Sequence, residues 1–272
     1  MEFKAFKMDG LGNDFVIIDK RSNNVELNKE QIIKICDRKF IGCDQLIFIN
    51  KSNKGDAEME FYNSDGSISG ACGNGTRCVA FLIFKETDKK VVDLFVGSNQ
   101  LKSKILENSE VETIIGVPKT HWKDIPMSKN LDTKNLGIEI SDKNNSSSKG
   151  GIAVNVGNPH VIFFVDNIDD FDLKKIGPMV ENNKLFPEKC NFTLASKIDN
   201  NHYKVKVWER GAGLTKACGT AACATGVVAF EKKIAGNNNN IYFKEGYLNI
   251  EYDGIISMTG PVSDIKEIKI KL

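Results

Sequence analysis

Long apolar runs are missing from this sequence. The longest uninterrupted stretches, residues 79–84 and 161–165, fall far short of the ~20 residues a membrane helix needs. An excess of either charge is missing too. The chain carries 37 Lys and Arg against 36 Asp and Glu, a formal net charge of +1. That balance leaves no electrostatic footprint for nucleic acid or an anionic membrane surface, so neither partner is expected. Residues 1–10 mix charged and apolar side chains without the basic start and apolar centre of a secretion signal, so a cytoplasmic location is expected. Histidine is scarce and no Cys-x-x-Cys occurs. His121, His160 and His202 stand at no ligand-like spacing from the cysteines, so no metal is expected. Gly10-Leu11-Gly12 is too short for a dinucleotide-binding loop, and no lysine has a pyridoxal-phosphate context. No cofactor is expected.

What the chain does have is seven cysteines. An odd number without a secretion signal argues for thiols rather than a disulfide framework. The usual fate of such a thiol is to be a small buried hydrophobe, so position must single out any that work. Cys78 and Cys223 fall inside apolar runs and Cys36 in an amphipathic one, all core positions. Cys43 and Cys190, which flank polar residues, are expected on the wall of a cleft.

Position does single out two cysteines, because the chain is written twice. Ala71-Cys72-Gly73 and Ala217-Cys218-Gly219 lie 146 residues apart, as do Gln45 and Asn191, and Asn63 and Glu209. Gly12-Asn13-Asp14-Phe15 answers to Gly157-Asn158-Pro159-His160 at an offset of 145. Four matches in one register indicate two copies of one domain. Before each cysteine comes an alternating, strand-like run (57–62 and 203–208) and a glycine-containing turn. After each comes a helical segment, 73–84, nearly all apolar from Cys78 onward, and 219–230, equally apolar, which reads as a buried helix beginning at the cysteine. Further strands are expected over 15–19, 45–49, 91–96, 111–116, 151–156, 161–165, 241–243 and 247–252, with helices over 28–38 and 172–182. Residues 144–151 and 237–240 read as solvated loops, and either 144–151 or the vicinity of Pro118 could link the halves. The pattern is α/β (α+β): two pseudo-symmetric domains, each a sheet wrapped around a central hydrophobic helix.

Two thiols at helix starts suit one kind of chemistry. Inverting an amino-acid α-carbon needs a base on one face and an acid on the other, with stabilisation of the carbanion between. A thiol has a pKa of about 8.5, lowered at helix N-termini, so it can serve as either partner near neutral pH. The first N–H groups of a helix lack internal partners and carry partial positive charge. Those of Gly73, Asn74, Gly219 and Thr220 could hold a substrate carboxylate and the charge that spreads onto it.

At these residues the chain resembles the diaminopimelate epimerase family over essentially its whole length. The motifs are Gly12-Asn13-Asp14-Phe15, Asn63-Ser64-Asp65-Gly66-Ser67, Ala71-Cys72-Gly73-Asn74-Gly75-Thr76-Arg77-Cys78, Gly157-Asn158-Pro159-His160, and Trp208-Glu209-Arg210-Gly211-Ala212-Gly213 running on to Ala217-Cys218-Gly219-Thr220. The resemblance implies two barrel-like mixed sheets, residues 1–117 with a returning tail 262–272, and residues 118–261, with the active site in the cleft between them. It implies interconversion of LL- and meso-2,6-diaminopimelate, in lysine and peptidoglycan-precursor biosynthesis, by a homodimer without metal or cofactor. Cys72 and Cys218 match the catalytic pair. Asn13, Gln45, Asn63, Asn158, Asn191, Glu209 and Arg210 match substrate contacts, and the backbone at Gly73, Asn74, Gly219 and Thr220 matches the carboxylate loops. His160 and Glu209 match positions that tune the thiols. Leu214 and Ala221 depart from residues usual in the family.

The polar set suits a substrate with two amino-acid heads. Arg210 can grip a carboxylate bidentately, Glu209 can face an ammonium, and the asparagines can donate and accept. This inventory is excessive for proline. The alternatives are a proline or hydroxyproline racemase of the same fold, a non-catalytic amino-acid-binding protein, and a metal-binding module.

Overall fold

The computed structural model describes residues 1–70 and 72–272. Ala71, part of the first cysteine motif, lies outside the described residues. Among the described residues there are four α-helices: α1 (Lys29–Cys36), α2 (Gly73–Thr87), α3 (Leu173–Glu181) and α4 (Gly219–Glu231). No helix of the described residues is long and apolar enough to cross a membrane. The chain divides into two compact units, Met1–Ile114 with Thr259–Leu272, and Ile115–Met258.

In the first unit, strands follow one another across a mixed sheet. Lys266–Lys271 pairs antiparallel with Glu2–Gly10, and that strand with Asn13–Asp19. Asn13–Asp19 runs parallel to Gln45–Asn50, which is antiparallel to Ala57–Asn63. Ala57–Asn63 in turn runs parallel to Val91–Val96. Val91–Val96 is antiparallel to Asn99–Ile105, and α2 packs against four strands of this sheet, including Glu2–Gly10 and Asn99–Ile105, so the sheet curls around it. Residues Asn74 to Ile83 of α2 are all buried, the apolar run from Cys78 onward together with the polar Asn74, Thr76 and Arg77. Each large apolar side chain removed from water there contributes about 1.5–3 kcal/mol. Gly75 permits the close fit: a Cβ on it would stand 2.7 Å from the Phe61 ring and 2.8 Å from Ile47. The other face of the sheet buries Val16, Ile18, Leu46 and Phe48 beneath Ile32 and Ile35 of α1. Both faces are covered, so 15–18 is a continuous apolar run rather than an alternating one.

The second unit repeats this order. Pro159–Phe164 runs parallel to Asn191–Lys197, which is antiparallel to His202–Glu209, which runs parallel to Asn238–Phe243. α3 lies between the first two of these strands in sequence and packs outside on His202–Glu209; α4 lies between the last two and is the central helix. Strand for strand, this is the connectivity of the first unit.

Several expectations differ from the structure. Residues 238–240 are strand rather than solvated loop, because Asn238–Phe243 pairs with Gly246–Tyr252 and buries Asn239 to 1% exposure. Its buried amide nitrogen donates to the Gly236 carbonyl. Ser147–Gly150 likewise forms a hairpin with Ile138–Ser141 inside the second unit. The terminal strands Glu2–Gly10 and Lys266–Lys271 were not expected. Lysines interleave with the inward residues Ala5, Met8 and Ile270 and blur the alternation. Cys43 and Cys190 are core residues at 1% and 0% exposure rather than wall residues. Cys43 lies with its sulfur 3.5 Å from that of Cys36, and Cys190 donates to the Val180 carbonyl.

Candidate active site

Each cysteine motif places its thiol at the N-cap of a buried helix. Cys72 caps α2 with φ −111° and ψ 115°, and Cys218 caps α4 with φ −140° and ψ 113°. Neither thiol makes a capping hydrogen bond. A serine or aspartate at this position would satisfy the first helical N–H groups itself; a thiol leaves them facing outward with the helix dipole behind them.

In the first unit the thiol has company from the sequence-expected set. The Cys72 sulfhydryl lies 3.6 Å from Asn13 Oδ1, toward which it can donate. Asn74 Nδ2 stands 3.5 Å from the same oxygen, and Asn74 Oδ1 accepts from the buried Arg77 at 3.1 Å. Asn13 reaches the site by a tight turn, with Leu11 at φ 61° and Gly12 at φ 83°. Its amide nitrogen donates to Asp44 at 3.0 Å, and this fixes which end faces the sulfur. Gln45 and Asn63 form a second cluster on paired strands, with Gln45 Nε2 donating to Asn63 at 3.1 Å and to Ser69 at 3.2 Å. Asn63 in turn donates to Ser67. Gln45 Oε1 is buried and has no hydrogen-bond partner among the described residues.

In the second unit the expected residues form one network. The Cys218 sulfur is 3.4 Å from Thr220 Oγ1, which is 3.0 Å from His160 Nε2. That nitrogen is 2.8 Å from Asn158 Oδ1. An amide oxygen only accepts, so Nε2 carries the proton, and the Thr220 hydroxyl is left to donate to sulfur. The imidazole is fully buried, and burial together with the Arg210 charge pushes its pKa down to about 3. His160 is therefore neutral at physiological pH, and Thr220 lies between it and the sulfur. Asn191 is buried between its neighbours, donating to the Pro159 carbonyl and accepting from the Arg210 backbone N–H at 2.9 Å. Arg210 also donates to the Glu188 carbonyl, and Glu209 accepts from Thr215 at 2.5 Å.

Cys218 is 5% exposed. Burial first, and the nearby Glu209 carboxylate second, raise its pKa well above the ordinary thiol value, against the opposing pull of the Thr220 hydroxyl and the Ala221 N–H. At rest it is therefore a thiol, the acid form. Glu209→Gln removes the repelling charge while keeping the shape. Alkylation of Cys218 by iodoacetamide, followed by mass spectrometry across pH, will then show a midpoint lower than in wild type. An unchanged midpoint would mean that Glu209 does not act on this sulfur.

Sequence reasoning missed Asp44, Thr215 and Glu181, which hold Asn13, Glu209 and the chain around Arg210 respectively. Asp44 and Glu181 stand in no repeat register, but Thr215 answers to Ser69 at the same offset of 146, a hydroxyl pair that the register could have found. Trp208 packs as expected but also donates its indole N–H to Glu181. Of the two departures from the family pattern, Leu214 is exposed and Ala221 buried.

Comparison with known proteins adds four findings. The sequence profile of the family described as "Diaminopimelate epimerase" matches residues 5–120 and 152–265. A protein of Pelagibacter ubique named "Diaminopimelate epimerase" is 65% identical over 274 aligned residues, spanning 100% of both chains. Among solved structures, a PhzF-family phenazine biosynthesis protein of Bacillus anthracis aligns over 100% of both chains with a TM-score of 0.69 at 15% identity. A hydroxyproline epimerase of Agrobacterium vitis, solved with trans-4-hydroxy-L-proline, covers 99% of this chain and 92% of its own with a TM-score of 0.67 at 9% identity. At such low identity these two structures share the fold and nothing more is carried over from them.

Proposed function

Because this chain belongs to the diaminopimelate epimerase family, we propose that Cys72 and Cys218 are its two acid/base groups, acting from opposite faces of one α-carbon. The protein is an isomerase that interconverts LL- and meso-2,6-diaminopimelate, a step of lysine biosynthesis that also feeds peptidoglycan precursors. The observation that carries the site assignment is the duplication: in each unit one cysteine, and that cysteine in the same place, caps the central buried helix.

In this reading the thiolate of one cysteine removes the α-proton and the thiol of the other delivers a proton to the far side. The substrate α-carboxylate rests on the N–H groups of Gly73, Asn74, Gly219 and Thr220, where the helix dipoles also stabilise the carbanion's spreading charge. Asn13, Asn158 and Gln45 orient the reacting head. Arg210 takes the distal carboxylate and Glu209 the ammonium, with Asn63 and Asn191 completing the polar lining. Glu209 and His160, the latter through Thr220, set the proton affinity of Cys218. A cytoplasmic homodimer completes the proposal.

Incubation in deuterated water tests it. The α-hydrogen of LL- and meso-diaminopimelate will exchange for deuterium at the rate of epimerisation, and that of proline will not. Label entering proline at a comparable rate would assign the distal polar groups to some other role.

A further inference from the structure

Glu181 is a buried carboxylate that the reaction above does not use, and it stands where a carboxylate is unwelcome. It is the last residue of α3, with its side chain 8% exposed. The closing carbonyls of a helix carry partial negative charge and disfavour an anion there. A buried acid retained at such a position must be held by its partners.

Those partners lie on either side of one dipeptide. Glu181 Oε2 accepts the indole N–H of Trp208 at 2.7 Å, and Oε1 accepts the backbone N–H of Gly211 at 2.9 Å. Between Trp208 and Gly211 are Glu209 and Arg210. Lys189 adds its ammonium 3.7 Å from Oε1. Burial alone would raise the carboxyl's pKa; the Trp208, Gly211 and Lys189 donors outweigh it and bring the pKa below the ordinary value, so the group is ionised. α3 also approaches closely enough to fix the indole. A Cβ on Gly177 would stand 2.4 Å from the Trp208 ring, so only glycine lets the helix and ring meet there. On its inner side the dipeptide is tied by the Arg210 N–H to Asn191.

We infer that Glu181 is a positioning residue for substrate specificity, clamping the chain on both sides of Glu209-Arg210 so that these side chains meet the distal head of the substrate. The inference rests on the reading of Arg210 as the grip for the distal carboxylate. A charge-assisted bond is directional and strong enough to set a turn, and the two oxygens of one carboxylate fix two points of the chain at once. A mere packing residue at this site would need no charge.

The test is steady-state kinetics with LL-diaminopimelate on Glu181→Gln, Arg210→Lys and the double variant, with Trp208→Phe beside them. In Glu181→Gln an amide NH₂ replaces one acceptor and confronts an N–H donor, so KM will rise about tenfold while kcat stays within about threefold. In the Arg210→Lys background the same change will raise KM less than about twofold, because the misplaced grip is already lost. Trp208→Phe removes the indole donor alone and will raise KM about threefold at nearly constant kcat; should Glu181→Gln not fold, it carries the same comparison. Equal KM increases in both backgrounds, or a fall in kcat at constant KM, would overturn the role of Glu181 while leaving Arg210 in place. An Arg210→Lys variant with wild-type KM would overturn the reading of Arg210 and this inference with it.

Discussion

Cys72→Ala and Cys218→Ala each lower turnover of diaminopimelate by about 10²–10⁴-fold, the usual contribution of a positioned general acid or base. The more telling result is what each variant keeps. Epimerisation needs both thiols, but loss of an α-proton to one face needs only the base on that face. One variant will therefore still exchange the α-hydrogen of the LL isomer with deuterated water, the other that of the inverted centre of the meso isomer, and neither will invert the carbon. The carboxylate-holding N–H groups belong to the backbone and survive both substitutions, so substrate binding persists in each. Mass spectrometry of recovered substrate reads the exchange, and chiral chromatography reads the inversion. A variant retaining a tenth of wild-type turnover, or one that exchanges both isomers equally, would be incompatible with a two-thiol mechanism.

The second large effect is on stability. His160 has a pKa near 3 in the folded chain against 6.5 for an ordinary histidine, because burial and the Arg210 charge disfavour the imidazolium. Between these values the unfolded chain holds a proton that the folded chain refuses. The stabilisation is thus complete above pH 6.5 and drains as pH falls toward 3, by about 1.4 kcal/mol per pH unit. From pH 6.5 to 4.5, before the carboxylates titrate in force, the loss amounts to about 2 kcal/mol. Urea unfolding at a series of pH values will show this slope in wild type and its absence in His160→Gln, whatever the variant's stability at pH 7. Parallel pH profiles for the two proteins would mean that His160 is protonated inside the fold as readily as outside it.

The site and the stability profile share one cause, the burial of polar chemistry at the start of α4. The same environment that keeps Cys218 a thiol keeps His160 neutral. Glu209 and Thr220 then have opposite effects on one sulfur, the carboxylate opposing ionisation and the hydroxyl supporting it. Burial and the carboxylate prevail, so the resting sulfur keeps its proton.

The sequence by itself determined the duplication, the two buried helices, the cysteines at their starts and most central strands. Those features are written in short-range patterns: two motifs in one register, a period of two in 203–208, an all-apolar run where a helix is covered on every side. The tertiary structure alone decided the rest. Terminal strands 2–10 and 266–271 pair across nearly the whole chain length, and no local pattern records a partner so distant. Asn238–Phe243 is strand because of its neighbours, despite its run of asparagines. Glu181 meets Trp208 and Gly211 from about 30 residues away, and the neutrality of His160 depends on what surrounds the ring. Hydrophobic periodicity records whether a residue is buried; which polar groups then meet, and with what proton affinity, is settled only when the distant strands close around them.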